Sequence, residues 1–230
     1  MLELFPEGFE EVDRPHGIEL AAYTDAAGEE RLWHFFGGAN ADDVPLGWED
    51  RWRDFHKPVT VGALWIGPPW ETAPDGAKTV VVDPGRAFGT GSHPTTPLCL
   101  QFLQDVERGA LLDVGCGSGV LSIAGALLGF EPVVGVDIEE PSIEATRENA
   151  RANGVTLVAH LVAPDAPLPT TDVAVANISL EGIQSLDGRL DATTLVTSGY
   201  FASERPGPAG FRHAERRTLD GWASDLYVRA

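Results

Sequence analysis

The chain holds 230 residues, 43% of them hydrophobic, and carries a formal net charge of −19. That supplies enough apolar surface for a globular core and excludes wholesale disorder, while no apolar run reaches membrane-spanning length. The acid excess argues against direct binding of nucleic acid, which needs a basic face; it suits a basic protein partner, or simply the solubility of an acidic surface.

The opening stretch MLELFPEGFEEVD is acidic, unlike a secretory signal or a transit peptide, and the expected compartment is the cytoplasm. Residues 1–44 read as a small α+β piece in which GIELAAYT and RLWHFFG form strands joined at DAAGEE. In WEDRWRDFHKP, Trp48, Trp52 and Phe55 share one helical face until Pro58 stops the helix. An aromatic stripe of that spacing is more often a packing face than a ligand contact. Residues 45–76 therefore read as a connector helix and a linker, ending in the Pro- and Gly-rich GPPWETAPDG.

Over residues 77–230 short apolar runs alternate with helical segments. KTVVVD, ALLDVG, PVVGVD, TLVAHL, DVAVANI, TTLVTSG, FRHAERRTL and WASDLYVR read as strands, and 94–106, 120–130, 141–153 and 181–190 as helices. This alternation predicts an α/β fold with a doubly wound, mostly parallel seven-stranded sheet covered on both faces. Only Asp220-Gly221 separates the last two strands, a hairpin signal, so the sheet is expected to end in an antiparallel pair. Two cysteines, Cys99 and Cys116, are too few for a disulfide framework, and six scattered histidines with no paired Cys/His spacing point to no metal site.

LLDVGCGSGV joins a buried strand to a helix, and Gly115, Gly117 and Gly119 allow a tight turn with close backbone approach to a ligand. A dinucleotide fingerprint needs glycine where Val120 stands, and a phosphate-binding Walker loop needs a lysine that is missing. Asp113 ends the strand just before the turn, where a carboxylate repels pyrophosphate and attracts an ammonium or sulfonium. The motif thus favours S-adenosylmethionine. The next strand ends at Asp137, placed to accept hydrogen bonds from both ribose hydroxyls; the competing role is a cap for the following helix. Asn177 ends the strand DVAVAN, where its amide can accept a hydrogen bond from an attacking amine, or can simply serve a turn.

The polar stretch DPGRAFGTGSHPTT cannot pack a core. Pro94 fits the first turn of a helix, which places Thr95 and Thr96 at a helix N-terminus whose free N–H groups suit a carboxylate. His93 sits where capping competes with a general-base role, and it is not assigned to catalysis.

The D-x-G-x-G-x-G run at Asp113, Gly115, Gly117 and Gly119, followed by Asp137, resembles the cofactor turn of class I S-adenosylmethionine-dependent methyltransferases. Amide methyltransferases of DNA and glutamine carry N-P-P-[YFW] where this chain has Asn-Ile-Ser, so an aliphatic amine is the better acceptor. The ordered set WEDRWRDFHKP, DPGRAFGTGSHPTTPLCL, LLDVGCGSGVLSIA, GVDIEEPSIEATRENARANGV and VANIS is similar to the bacterial ribosomal protein methyltransferase family of the PrmA type. That resemblance implies methylation of large-subunit ribosomal protein eleven, on lysine side chains and the N-terminal α-amine. It implies that Phe88, Gly89, Thr90 and Gly91 close over the cofactor and frame the amine channel, with Phe88 and Asn177 on the reacting side. Thr96, Gly115, Asp137 and Asn177 would contact the cofactor. The family opens on a complete ferredoxin-like substrate domain. Residues 1–44 are expected to be a truncated form of it, or the native start lies upstream. A monomer without membrane association is expected. The rival readings are a methyltransferase for another protein lysine or a small-molecule amine, and a non-catalytic cofactor-binding module.

Overall fold

Val- and Leu-rich runs become strands where a neighbouring strand takes up their main-chain N–H and C=O groups. The computed structural model describes residues 10–14, 17–21, 32, 33, 35, 36, 57–83 and 91–230, and divides the chain into two compact units, Met1–Arg51 and Trp52–Ala230.

In the first unit β1 (Glu10–Arg14) and β2 (Gly17–Ala21) form an antiparallel hairpin, with Arg14 opposite Gly17. GIELAAYT supplies the expected strand, but its partner is EEVDR. RLWHFFG is not a strand over its described part, because Leu32, Trp33, Phe35 and Phe36 are helical. A short apolar run without alternation does not separate the two states by period. The helix expected over WEDRWRDFHKP falls on residues outside those described, up to His56.

The second unit starts with a sheet that the sequence reading missed. β3 (Val59–Val61) and β4 (Leu64–Gly67) pair antiparallel around Gly62, whose φ of 58° suits the tight turn. β5 (Lys78–Val81) is a strand as expected, but it runs parallel to β4 in this three-stranded sheet and not in the large one. Side-chain amides fasten it: Asn153 Oδ1 accepts from Val81 N at 2.7 Å and Asn153 Nδ2 donates to Val81 O at 2.6 Å.

The large sheet contains β6 (Leu111–Val114), β7 (Val133–Asp137), β8 (Val158–Leu161), β9 (Thr171–Asn177), β10 (Ala192–Phe201), β11 (Phe211–Leu219) and β12 (Trp222–Arg229). Its order is β11-β12-β10-β9-β6-β7-β8. β12 runs antiparallel to both β10 and β11, and the other pairings are parallel. Asp220 and Gly221 take φ of 49° and 83°, the left-handed pair that the hairpin turn requires.

Alternation along the strands divides the core. Leu111, Val173 and Val175 face α1 (Thr95–Asp105) and α2 (Val120–Leu128), packing with Phe102, Leu103 and Ile123. Each such fully buried side chain contributes about 1.5–3 kcal/mol. Leu112, Val114, Ala174 and Ala176 face the other way, against Leu168, Leu186 and Leu190. That second face is thinly covered. The helix expected over 181–190 is only α4 (Leu180–Gln184), and residues 162–170 and 202–210 cross the sheet without a helix. α3 (Glu140–Ala152) follows β7. The chain leaves β6 toward β7 and β8, then returns on the other side of β6 to lay down β9 and β10. The crevice above the strand ends at β6 and β9 is where such sheets hold ligands.

Candidate functional site

The bend after β6 is built from glycines because its backbone needs left-handed angles: φ is 74° at Gly115, 52° at Gly117 and 82° at Gly119. Gly115 N and Cys116 N both donate to Val136 O, at 2.8 and 3.1 Å. From α3, Thr146 Oγ1 donates to Gly117 O at 2.9 Å and Asn149 Nδ2 to Ser118 O at 2.9 Å. The bend is therefore held from both sides before any ligand arrives.

Two acids meet it. Asp137, the last residue of β7, accepts from Gly117 N through Oδ2 at 3.0 Å and from Glu139 N through Oδ1 at 3.1 Å. The carboxylate thus ties down the turn before the next helix, whose cap position is Glu139, and it also lines the crevice. Asp113 is 1% exposed, and its Oδ2 accepts from Ser122 N at 3.0 Å and Ser122 Oγ at 2.6 Å. Burial lifts its carboxyl to about 6, the Ser122 bonds oppose that rise, and Asp137 adds to it.

A cavity of about 580 Å³ lies over the strand ends, and Thr96, Asp113, Gly115, Gly117, Asp137 and Asn177 all line it. Gly119 is not on its wall. It starts α2 and packs on α3, where an added Cβ would lie 3.1 Å from Thr146 Cα. Phe88, Gly89 and Thr90 lie outside the described residues, while Gly91 is buried against Ile66, where an added Cβ would lie 2.5 Å from Cγ2, and is not on the cavity wall. The N–H groups at the start of α1 are not free as expected. Thr96 N donates to His93 O at 3.0 Å, and Thr95 N lies 3.5 Å from His93 Nδ1. His93 Nδ1 also sits 2.8 Å from Thr95 Oγ1, so the ring is held against the first turn of the helix. The side chains of Thr95 and Thr96 remain on the cavity wall.

The family model described as ribosomal protein L11 methyltransferase (PrmA) matches residues 38–203. The chain belongs to this family. It is 40% identical over 191 residues to the ribosomal protein L11 methyltransferase of Tolumonas auensis, covering 75% of this chain and 65% of that protein. It is 49% identical over 169 residues to that of Azotobacter vinelandii, covering 68% and 58%. The chain thus spans about three fifths of the length of these curated relatives. A solved ribosomal protein L11 methylase from Lactobacillus delbrueckii subsp. bulgaricus superposes with a TM-score of 0.66 at 29% identity, covering 75% of this chain and 98% of that one.

In this PrmA-family chain the far end of the cavity carries residues that the sequence reading passed over. Trp222 and Gly199 line it beside Asn177, and the Trp222 ring lies edge-on to His93 at 4.5 Å and stacked on Phe201 at 4.6 Å. The Asn177 amide makes no hydrogen bond among the described residues and stands open to the cavity. Ser122 was also missed; a serine one helical turn into α2 carried the signal, because the bend returns it to Asp113.

Proposed function

We propose that this chain is an S-adenosylmethionine-dependent N-methyltransferase acting on lysine side chains, the N-terminal α-amine, or both, of ribosomal protein L11. One observation carries the reading: an amide at the end of β9 that makes no hydrogen bond among the described residues shares a cavity with a glycine-rich bend and two carboxylates. The donor set fits the cofactor. Gly115 and Gly117 give the bend its left-handed turn and put its backbone on the cavity wall, Asp137 retains lone pairs for ribose hydroxyls, and Asp113 supplies negative charge beneath a cation. Thr96 contributes a hydroxyl, and Phe88, Gly89 and Thr90 are assigned the closing strap.

When bound, S-adenosylmethionine supplies an electrophilic methyl group on sulfonium. Asn177 Oδ1 accepts an N–H of the acceptor amine and aims its lone pair, so that most of the rate comes from positioning. The amine must be neutral to attack, which favours the α-amine (reference pKa about 8) over lysine (about 10.4) at neutral pH. Residues 1–44 are assigned to substrate recognition, and the net charge of −19 suits a basic ribosomal protein met in the cytoplasm.

The test is mass spectrometry of isolated L11 after incubation with the chain and isotope-labelled cofactor. Labelled methyl groups on lysine or the N-terminus are expected. Label on another protein while L11 stays unlabelled would reject this acceptor. Tight cofactor binding with no transfer to any lysine-rich protein would reject catalysis.

A further inference from the structure

We propose that Ile178 is a positioning residue, a wedge that fixes the Asn177 amide relative to the glycine bend; this rests on reading Asn177 as the acceptor-side group. Ile178 stands between glycines from three elements. A Cβ on Gly115 would lie 2.3 Å from Ile178 Cγ2, and one on Gly182 would lie 3.0 Å from Ile178 Cδ1. A Cβ on Gly199 would lie 2.1 Å from the Ile178 carbonyl oxygen and 2.6 Å from its carbon. The side chain thus fills a slot over the cofactor bend while its peptide lies flat against β10.

The Gly199 contact is built in. Ser198 pairs with Ser224, but Tyr200 pairs with Ala223, so Gly199 is the extra residue of a β-bulge, at φ 101°. Flanking bonds hold the bulge. Tyr200 OH lies 2.7 Å from Thr197 Oγ1 and donates to Asp225 Oδ2 at 2.7 Å, and Ser198 Oγ donates to Ala223 O at 2.7 Å. Ile178 N donates to Ser198 O at 3.1 Å, which completes the attachment of the Asn177–Ile178 peptide to β10. Ile178 also packs against two apolar clusters, one on the sheet face and one around Ile183 and Tyr200. Asn177 therefore inherits its place from a residue seated on the cofactor bend at one side and on a locked bulge at the other. Close contacts with glycines thus stiffen the position that follows the asparagine.

The test uses the full chain labelled with nitrogen-15, reading the Asn177 side-chain NH₂ resonance pair, assigned by its loss in Asn177→Asp. Ile178→Ala is expected to shift or broaden that pair and to lower kcat on L11 roughly 10- to 100-fold. KM should stay unchanged, and the affinity for S-adenosylhomocysteine should fall far less than kcat. Ile178→Val should restore both readouts, and Gly199→Ala, which displaces the Ile178 carbonyl, should repeat the Ile178→Ala signature. An Asn177 pair that stays in place in Ile178→Ala and Gly199→Ala overturns the proposal, as does a parallel loss of cofactor affinity. If the wild-type chain transfers nothing to L11, the functional reading falls, while the amide resonance still decides the wedge. Should Ile178→Ala fail to fold, the resonance pair is read in Gly199→Ala, where it should move, and in Ile178→Val, where it should stay in place.

Discussion

Asp137 accepts the main-chain N–H of Gly117 across 3.0 Å, tying the end of β7 to the bend that follows β6. The same carboxylate lines the cavity with lone pairs to spare, so it shapes the bend and can also serve the proposed ribose contact. Asp137→Ala removes both functions. Charged hydrogen bonds contribute about 1.5–3 kcal/mol each, so affinity for S-adenosylhomocysteine should fall by roughly 100-fold or more. Asp137→Asn keeps one acceptor oxygen and should lose less. Titration calorimetry decides it, and undiminished affinity in the alanine variant would remove Asp137 from the ribose.

Asp113 gives the site a pH dependence of predictable sign. Burial lifts its carboxyl to about 6 in the fold, above the ordinary 3.8. A raised acid favours the fold while protonated, and that contribution is lost as pH rises from about 3.8 through about 6. A cationic ligand favours the ionised form, so cofactor affinity should rise with pH across the same upper limit and then level off. Asp113→Asn should bind weakly, with a flat profile between pH 5 and 7.5, roughly one unit or more either side of the wild-type step. Calorimetry across that range in both proteins checks it, and a parallel slope in the two would assign the dependence to another group.

The parallel sheet was legible because its strands are bounded by residues with single meanings. Asp220-Gly221 demanded a hairpin, and the glycines after Asp113 demanded a bend. What escaped lacked such punctuation. VTVGALWIG holds two strands joined through Gly62 and Ala63, but its apolar run reads equally as one buried segment. Lys78–Val81 looked like a member of the large sheet; both edges of β6 were already taken, and it paired with β4. Asp113, Asp137 and Asn177 could be placed on the cavity wall from the sequence because strand ends face the crevice. Ser122, Ile178 and Gly199 were not, because each acts through a contact distant in sequence that no local pattern announces.

Gly115→Ala tests the bend directly. The position sits at φ 74°, and the new methyl would lie 2.3 Å from Ile178 Cγ2. Left-handed strain costs about 1–2 kcal/mol before any displacement of Ile178. The expected result is a melting temperature lower by roughly 2–8 °C and loss of the thermal shift given by S-adenosylhomocysteine. A variant that melts lower yet keeps the full ligand shift would show that the cofactor does not approach this backbone.

At the far side of the sheet Asp225 is the centre of a buried charge network, its side chain 0% exposed. Arg216 grips it from Nε at 2.8 Å and Nη2 at 2.6 Å, and Tyr200 OH and His213 Nε2 each lie 2.7 Å away. Burial pushes its carboxyl up, but the bonds from Arg216, Tyr200 and His213 outweigh burial and hold it below the usual carboxylate range. A depressed acid stabilises the fold above its unfolded value and loses that contribution as pH falls through the folded one. The wild-type chain should therefore keep this contribution at neutral pH and lose it only below about 4, in acid unfolding followed by circular dichroism. Asp225→Asn leaves the Arg216 charge without its counter-ion and should cost roughly 3 kcal/mol at pH 7 by denaturant unfolding. The difference between the two proteins should shrink as pH falls below 4, because protonation removes the same charge from the wild type. A constant gap down to pH 2, roughly two units below the reference value, would mean that shape and not charge holds β12 between its neighbours.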